Sequence, residues 1–437
     1  MEEYKDFFAG KHITLMGLGL LGRGVGDAEF LAPLCKELVV TDSKNEVELA
    51  PSIERLKKFS NIRYALGGHK EEDFINTDMV LKAAGVPLDS PHIAAAKQHA
   101  VPVYMTTALF AKFAGEAGAT IVGVTGTRGK STVTHLIYHS LKLAGKRVHL
   151  GGNVRGLSTI AMLPEVKKGD IAVLELDSWQ LQGFGGLKLS PHIAVFANLM
   201  SDHLNYYKGD TGAYFLDKAN IFLYQKKGDR LFTGEQVLNK IQQALPPVAP
   251  VVPPPLDPHW TLNLIGGHNR ENAALAVAAL RALELSEEEI RGGLGTFEPI
   301  EGRLQKIAEI KGAAFYNDNN ATTPDATIAA LRSLEGKKIV LITGGADKML
   351  PLEELVQEIE QHAATVVLLP GTGTERLKKL LKNYTEAKTM SDAVAEVMVK
   401  VRAGDTVLFS PAFASFGLFK NEYDRNDQFV AAIQQLK

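Results

Sequence analysis

Residues 119–132 read ATIVGVTGTRGKST, and this stretch decides the fold. Residues 119–125 are apolar and β-branched, which predicts a buried strand. Apolar side chains between residues 133 and 144 recur at helical spacing. The sequence therefore predicts a strand, a glycine-rich loop and a helix, with the positive end of the helix directed at the loop.

The loop carries the chemistry of a phosphate-binding site. Gly126 and Gly129 let backbone N–H groups surround phosphate oxygens, while Lys130 reaches the β- and γ-phosphates and the Ser131 hydroxyl reaches Mg²⁺. A strict G-x-x-x-x-G-K-[ST] pattern has glycine at the position of Val124, and the alternative is a tight turn with an ordinary lysine. The agreement of loop, lysine, hydroxyl pair and flanking elements favours nucleotide binding.

Composition excludes several classes of protein. A chain of 437 residues with 45% hydrophobic and 22% charged residues is typical of a globular protein of about three domains. The net charge of −2 argues against a dedicated nucleic-acid binder. The single Cys35 excludes an internal disulfide framework and a cysteine-rich zinc site. No signal peptide or membrane-spanning run is recognised, so a cytoplasmic protein is expected.

The N-terminal block has a second glycine motif. Residues 11–16 form an apolar strand, and the G-x-G-x-x-G pattern that follows consists of Gly17, Gly19 and Gly22. Asp42 ends the next strand, so the motif read alone predicts a dinucleotide-binding unit with Asp42 on a ribose. A further apolar strand is expected over 78–86. We expect this first α/β domain to cover residues 1–107.

Two further α/β blocks follow. We expect a central domain at 108–301 with a mostly parallel sheet, and a C-terminal domain at 302–437 with its own crevice at the strand ends. The seven prolines of residues 246–258 exclude a helix or a central strand there. The fold class is therefore α/β, with a Rossmann-like first domain, a phosphate-loop ATPase second domain and a Rossmann-like third domain.

Candidate metal ligands lie at strand ends of the central block. Glu175 ends one strand and is the better candidate for Mg²⁺, with Asp177 the weaker one. His203 lies in a loop after the next strand, beside Asn198. Lys218, in a helical segment further on, is by default a solvated lysine.

Further signatures occur along the chain in a fixed order. They are LELDSWQL (174–181), NLMSDHLNYY (198–207), GGHNRENAALA (266–276), EGRLQ (301–305), YNDNNATTP (316–324) and LFSPAFASFGLFKN (408–421). Together with GLGLLG and TGTRGKST, they resemble the Mur ligase family over essentially the whole chain, most closely its D-glutamate-adding branch. A glycine at 126 instead of 124 is typical of that family.

The resemblance implies a set of functional residues. ATP contacts are expected from Gly126, Thr127, Arg128, Gly129, Lys130, Ser131, Thr132, Asn269, Arg303 and Asp318. Contacts to the UDP-linked substrate are expected from Gly17, Gly19, Leu20, Leu21, Asp42, Ser43 and Asn153, and contacts to the incoming amino acid from Thr322, Lys348 and Ser415. Mg²⁺ would be held by Ser131, Glu175, His203 and a carbamylated Lys218, and the catalytic set would be Lys130, His203 and Lys218.

The resemblance also implies the reaction. It is ATP- and Mg²⁺-dependent addition of D-glutamate to UDP-N-acetylmuramoyl-L-alanine, through an acyl phosphate, by a monomer that acts in peptidoglycan synthesis without nucleic-acid or membrane partners. Several residues depart from the family pattern. Arg128 and Asn320 replace an asparagine and a lysine, and Asp177 and Glu422 replace a serine and an aromatic residue. Ala84-Gly85-Val86 stands where the family usually has Ser-Pro-Gly-Ile. The changes at 320 and 422 concern the incoming amino acid most.

Other functions remain open from the sequence. A different acceptor amino acid would use the same chemistry. A folylpolyglutamate-synthase-like ligase resembles the central and C-terminal blocks, but its phosphate loop lies close to the N-terminus. An inactive UDP-sugar-binding protein would not need Lys130 and Glu175, and a dehydrogenase would leave the phosphate loop unexplained.

Overall fold

The computed structural model contains three sheets. It describes residues 3–20, 22–202 and 206–436. The chain divides into two compact units, which are Met1–Pro255 with Asn272–Gly293, and Leu256–Glu271 with Leu294–Lys437. The first unit holds the first two sheets and the second unit holds the third. The domain boundaries expected at 107/108 and 301/302 stay predictions.

The first sheet is built from strands that alternate with helices. The strands are β1 (His12–Met16), β2 (Glu37–Asp42), β3 (Ile62–Leu66), β4 (Met79–Lys82) and β5 (Val103–Tyr104). The helices are α1 (Glu3–Phe8), α2 (Arg23–Leu31), α3 (Glu46–Leu56), α4 (Glu72–Ile75), α5 (Pro91–Gln98) and α6 (Thr106–Glu116). The strands are parallel in the order β3-β2-β1-β4-β5. The strand order reverses between β1 and β4, which opens a crevice at their carboxyl ends.

The second sheet has six parallel strands. These are β6 (Thr120–Thr125), β7 (Val148–Gly152), β8 (Ile171–Glu175), β9 (Ile193–Phe196), β10 (Arg230–Thr233) and β11 (Pro250–Val251), in the order β11-β10-β9-β6-β8-β7. The helices are α7 (Lys130–Leu143), α8 (Ser178–Gly186), α9 (Thr211–Ala219), α10 (Glu235–Gln243), α11 (Gly267–Ala282) and α12 (Glu287–Thr296), with a 3₁₀ helix at Ile160–Glu165. Because β6 lies between β8 and β9, the loops that follow these three strands meet at one edge.

The third sheet has one antiparallel edge strand. Its strands are β12 (Gln305–Ile310), β13 (Ala313–Asn317), β14 (Ile339–Thr343), β15 (Ala363–Leu368), β16 (Thr385–Glu386) and β17 (Thr406–Phe409), in the order β12-β13-β17-β14-β15-β16. Its helices are α13 (Pro324–Ser333), α14 (Glu353–His362), α15 (Thr372–Lys378), α16 (Met390–Lys400) and α17 (Glu422–Gln434). Only β12 runs antiparallel among the described pairs, so the loops after β13, β14 and β17 share an edge.

The sequence-based elements are mostly confirmed. The predicted strand at 119–125 is β6, and Val133, Leu136, Ile137 and Leu141 of α7 are buried as their spacing indicated. The proline-rich segment contributes only the two-residue edge strand β11. The strand expected over 78–86 was wrong beyond Lys82, because the chain turns there and the Val86 N–H donates to the Ala83 carbonyl.

Candidate active site

Backbone geometry requires glycine in the loop after β6, the second glycine loop (residues 126–131). Gly126 and Gly129 have φ values of +151° and +79°, which side chains rarely adopt. A Cβ at 129 would lie 2.2 Å from Oδ1 of Asn272. Gly129 also directly precedes α7, so the amino end of this helix faces the loop.

Asn198, after β9, holds the loop from the neighbouring strand. Its carbonyl accepts from Thr127 N–H at 2.9 Å, and its side-chain Oδ1 accepts from Arg128 N–H at 2.8 Å. The Thr127 hydroxyl also accepts from Met200 N–H at 2.9 Å. The sequence indicated Asn198 only as a polar residue at a strand end. In the structure, Asn198 holds the second glycine loop in place through two hydrogen bonds to its backbone.

The guanidinium of Arg128 is paired within the protein. Its Nη1 lies 3.2 Å from the Asp202 carboxylate, and it donates to the Thr127 carbonyl at 3.4 Å. The Asp202 side chain is 7% exposed. Arg128 therefore brings a second positive charge to the loop and compensates a buried carboxylate beside it.

Two lysines converge on one carbonyl of the loop. Lys130 Nζ donates to the Gly126 carbonyl at 3.0 Å and to the Thr127 carbonyl at 3.1 Å. Lys218 Nζ reaches the same Gly126 carbonyl at 2.9 Å and the Thr125 hydroxyl at 3.3 Å. The structure thus brings together two of the predicted catalytic residues, which are separated by 88 positions in the sequence.

Lys218 is not the solvated lysine that its sequence context indicated. It is 1% exposed, and its Nζ lies 4.9 Å from the centre of the Tyr214 ring. Burial, together with the positive charge of Lys130, lowers the pKa of Lys218 well below its ordinary value. The neutral amine is therefore favoured here, and it is the form that can react with CO₂.

Oxygen donors suited to Mg²⁺ lie around the same loop. Glu175, the last residue of β8, is 3% exposed, and no described residue donates a hydrogen bond to its carboxylate. Ser131 is buried in the first turn of α7, followed by the buried Thr132. A buried carboxylate without a protein donor and a nearby hydroxyl fit a hard cation. The predicted ligand His203 lies outside the described residues, and no three His, Cys, Asp or Glu side chains cluster as a metal site within them.

Asp177 has a structural explanation. Its side chain accepts from Gln180 N–H at 2.7 Å in a capping box at the start of α8. Asp177, the weaker candidate for a metal ligand, therefore has a structural role that competes with metal binding.

Asn153 is connected to the site, since its N–H donates to the Glu175 carbonyl at 2.7 Å and its Oδ1 accepts from Arg23 at 3.1 Å.

The first glycine loop (residues 17–22) is braced by a carboxylate. Asp42 Oδ2 accepts from Gly19 N–H at 2.9 Å, and Oδ1 accepts from Lys44 N–H at 2.9 Å. Asp42 thus organises the crevice of the first sheet through the backbone, and the neighbouring Ser43 is exposed. Leu20 is 53% exposed at the crevice, and Leu21 lies outside the described residues.

In the second unit, predicted residues gather at the shared edge of the third sheet. Asp318 accepts from Leu304 N–H at 3.0 Å and from the Ser410 hydroxyl at 2.8 Å. Lys348 Nζ lies 3.2 Å from the Thr322 hydroxyl. Ser415 is buried after β17. The strand order therefore brings together the residues expected to hold the incoming amino acid.

The remaining predicted nucleotide contacts, Asn269 and Arg303, each donate a hydrogen bond to a backbone carbonyl. Asn269 Nδ2 donates to the Ile265 carbonyl at 2.8 Å at the start of α11. Arg303 N–H donates to the Ile300 carbonyl at 3.0 Å in the turn before β12.

Arg425 is a buried residue that sequence reasoning missed. It is fully buried and donates to Asn319 Oδ1 at 2.8 Å, to the Asn319 carbonyl at 2.9 Å and to the Phe413 carbonyl at 3.0 Å. Burial lowers the pKa of Arg425 to about 10. Arg425 therefore fixes the loops after β13 and β17 that carry Thr322 and Ser415. No local sequence signal distinguishes this arginine from a surface residue of α17.

Within the described residues, no helix is long and apolar enough to cross a membrane.

Three family models match the chain in sequence order. They are the Mur ligase MurD-like N-terminal domain at 11–105, the Mur ligase middle domain at 124–245 and the Mur ligase glutamate ligase domain at 302–413.

Solved structures share the fold. UDP-N-acetylmuramate-alanine ligase MurC from Thermotoga maritima matches with a TM-score of 0.63 at 20% identity, covering 98% of this chain and 100% of that one. MurF ligase from the same organism, in complex with ADP, matches with a TM-score of 0.61 at 17% identity, covering 93% and 96%.

Curated relatives match along almost their entire length. UDP-N-acetylmuramoylalanine–D-glutamate ligase of Roseiflexus sp. is 32% identical, covering 98% of this chain and 99% of the relative. The enzyme of the same name from Borreliella burgdorferi (strain ZS7) is 34% identical, covering 97% and 98%. With a full-length relative above 30% identity and three family models in order, the chain belongs to the Mur ligase family.

Proposed function

We propose that this chain is the ATP-dependent, ADP-forming ligase that adds D-glutamate to UDP-N-acetylmuramoyl-L-alanine during peptidoglycan precursor synthesis. The observation that carries the proposal is the convergence of Lys130 and Lys218 on the Gly126 carbonyl, beside the buried carboxylate of Glu175. The names of the full-length relatives support the choice of substrate and acceptor.

The second glycine loop would bind the triphosphate. Its backbone N–H groups and the amino end of α7 would surround the phosphate oxygens, with the side chains of Thr127, Arg128 and Thr132 alongside. Lys130 is already placed at the loop and would neutralise charge that develops on the transferred phosphoryl group. Ser131, Glu175, His203 and the carbamate of Lys218 would hold Mg²⁺, which would supply further positive charge at the phosphates.

Amide formation requires an activated carboxylate. The carboxylate of the nucleotide-linked substrate attacks the γ-phosphate, which gives an acyl phosphate and ADP. The amino group of D-glutamate then attacks the acyl carbon, and phosphate leaves through a tetrahedral intermediate. The protein contributes positioning and charge neutralisation, chiefly through Lys130.

Lys218 would act as a carbamate. Its lowered pKa keeps the amine neutral, and a neutral amine can take up CO₂ to become an anionic oxygen donor. This conversion would explain why a buried lysine lies among groups intended for a cation.

Substrate contacts would be divided among the three sheets. The UDP-linked substrate would be bound by Gly17, Gly19, Leu20, Leu21, Asp42, Ser43 and Asn153. ATP would receive further contacts from Asn269, Arg303 and Asp318, and D-glutamate would be held by Thr322, Lys348 and Ser415. The positive charge of Lys348 suits an acidic acceptor.

One observation favours a second acceptor. Asn320 donates to the Glu301 carbonyl at 3.2 Å, where the family has a lysine, and Glu422 adds a carboxylate at the start of α17. Both changes reduce positive charge near the acceptor residues, so a neutral or basic amino acid is the alternative.

The test is phosphate release from ATP with Mg²⁺, UDP-N-acetylmuramoyl-L-alanine and a panel of D- and L-amino acids. We expect turnover to depend on the nucleotide substrate and to be highest with D-glutamate. A clear preference for a neutral or basic amino acid would refute the proposed acceptor, and ATP turnover with a folate substrate alone would refute the proposed ligase. The cytoplasmic location and the monomeric state stay predictions, which fractionation and sedimentation would check.

A further inference from the structure

Lys82 is a buried lysine that the proposed mechanism does not use. It is the last residue of β4 and is 3% exposed. Its Nζ donates to the Val86 carbonyl at 2.9 Å, and to the Ala83 and Ala84 carbonyls at 3.4 Å each. The side chain of Lys82 therefore donates hydrogen bonds to three carbonyls of the turn that follows β4. We call this segment (residues 83–86) the 83–86 turn.

The 83–86 turn forms one wall of the crevice in the first sheet. Ala83 N–H donates to the Met16 carbonyl at 2.8 Å, so the turn is joined directly to the end of β1. A Cβ on Gly17 would lie 2.7 Å from Cβ of Ala83. The turn thus packs against the first glycine loop at the point where the strand order reverses, which is where an α/β sheet binds its ligand.

The charges of two carboxylates beside the central sheet act on the same ammonium group. Burial lowers the pKa of Lys82 to about 8, and the charges of Asp177 and Asp217 act against this lowering. Asp217 is held in place, because Oδ2 accepts from Gln182 Nε2 at 2.8 Å and from the Tyr207 hydroxyl at 2.9 Å. A buried cation needs such compensation, since an unpaired charge in the interior is strongly unfavourable.

Asp217 lies beside the phosphate site. It directly precedes Lys218 on α9, so one of the charges that act on Lys82 comes from the helix that carries the lysine at the second glycine loop. An exposed ion pair between Lys208 and Asp89, at 3.1 Å, joins the segment before α9 to the segment after the 83–86 turn.

We propose that Lys82 is a positioning residue that fixes the 83–86 turn of the nucleotide-substrate crevice through its contacts with the three carbonyls of that turn. The proposal rests on the proposed function, in which the crevice binds the UDP part of the substrate. Lys82 would act on affinity for the UDP-linked substrate and leave ATP binding unchanged.

The test compares Lys82→Met with Lys82→Arg. Methionine keeps the apolar stem and removes the charge and the three donors, whereas arginine retains charge and donors. For Lys82→Met we expect the Kd for UDP and the KM for the UDP-linked substrate to rise about tenfold, with the KM for ATP within about twofold. In Lys82→Arg, the Kd for UDP and the KM for the UDP-linked substrate should return most of the way to the values of the unmodified chain. Lys36→Met, an exposed lysine at the start of β2, is the matched control and should match the unmodified chain.

Other results would overturn the proposal. Unchanged affinity for UDP in a folded Lys82→Met chain would exclude a positioning role, and so would equal rises in the KM values for both substrates with no recovery in Lys82→Arg. If Lys82→Met fails to fold, Lys82→Gln, which loses the charge and keeps one amide donor group, should raise the same KM by several-fold. No UDP binding by the unmodified chain would instead refute the proposed function itself.

Discussion

The two glycine loops use one backbone device in different electrostatic surroundings. Each follows the central strand of its sheet and leads into a helix, and Gly22 and Gly129 directly precede those helices with φ values near +80°. The first loop is braced by the carboxylate of Asp42, whereas the second is surrounded by the cationic side chains of Arg128 and Lys130 and by the buried amine of Lys218. The same turn can therefore bind different ligands, because charged residues that are distant in sequence determine the electrostatic potential at each loop.

The second loop carries an electrostatic strain that the first does not. Like charges close together repel, and the charge of Lys130 contributes to lowering the pKa of Lys218. A bound anion would offset the positive charges of Arg128 and Lys130 and relieve this repulsion. A triphosphate and its metal are thus expected to stabilise the second loop more than a diphosphate would stabilise the first.

Replacing Lys130 should have the largest effect of any single change at the two loops. For Lys130→Ala we expect kcat/KM in phosphate release to fall about 10³-fold or more, because charge on the transferred phosphoryl group loses its neutralising partner. UDP binding at the first loop should be unchanged in calorimetry. Lys142→Ala, an exposed lysine on the same helix, is the control. Unaltered product formation in Lys130→Ala would refute the assignment of the phosphate site.

Removing CO₂ should have the next largest effect. In CO₂-free buffer we expect turnover to fall about tenfold and to recover on adding bicarbonate, because the amine of Lys218 would lose its carbamate. Lys218→Ala should be about 10²-fold slower and insensitive to bicarbonate. Steady-state phosphate release at fixed pH measures both. Equal turnover of the unmodified chain with and without CO₂ would contradict carbamylation.

Local sequence was sufficient for the loops themselves. The run ATIVGVT, the glycine spacing and the helical periodicity after Ser131 each depend on neighbours in sequence, so the strand, loop and helix of the central sheet could be predicted. The same holds for the first sheet, except that the run of apolar residues after Lys82 was read as a longer strand. Nothing local shows that a lysine ammonium turns the chain there.

Burial of charged residues could not be read from the sequence. Lys82, Lys218 and Arg425 lie on elements whose partners come from other parts of the chain, and each looks like a surface residue until the fold places carbonyls or carboxylates around it. Asp177 shows the converse case, since a carboxylate at a strand end that was the weaker candidate for a metal ligand also caps a helix in the structure. Residue type and spacing therefore identified the loops. Tertiary contacts determine which charged side chains are buried and which groups they contact.

A pair of alanine substitutions would separate backbone strain from side-chain crowding in the loops. Gly19 and Gly129 have similar φ values of +61° and +79°, but only at Gly129 does a new Cβ meet another residue. We expect Gly19→Ala to lower the free energy of unfolding by about 1 kcal/mol. Gly129→Ala should also raise the KM for ATP about tenfold, because Asn272 must move. Equal KM values for ATP in the two variants would show that crowding at 129 is unimportant.

The smallest expected effect tests the carboxylate that distinguishes the first loop. Asp42→Asn keeps one acceptor oxygen and loses the charge, so the N–H groups of Gly19 and Lys44 compete for it. We expect the KM for the UDP-linked substrate to rise about fivefold, with the KM for ATP unchanged, because only the crevice of the first sheet relaxes. If the KM for ATP rises instead, a change at the first loop affects the ATP site. This result would contradict the view that each loop is held in place independently of the other. Asp6→Asn, in α1, provides an exposed control for the loss of one carboxylate.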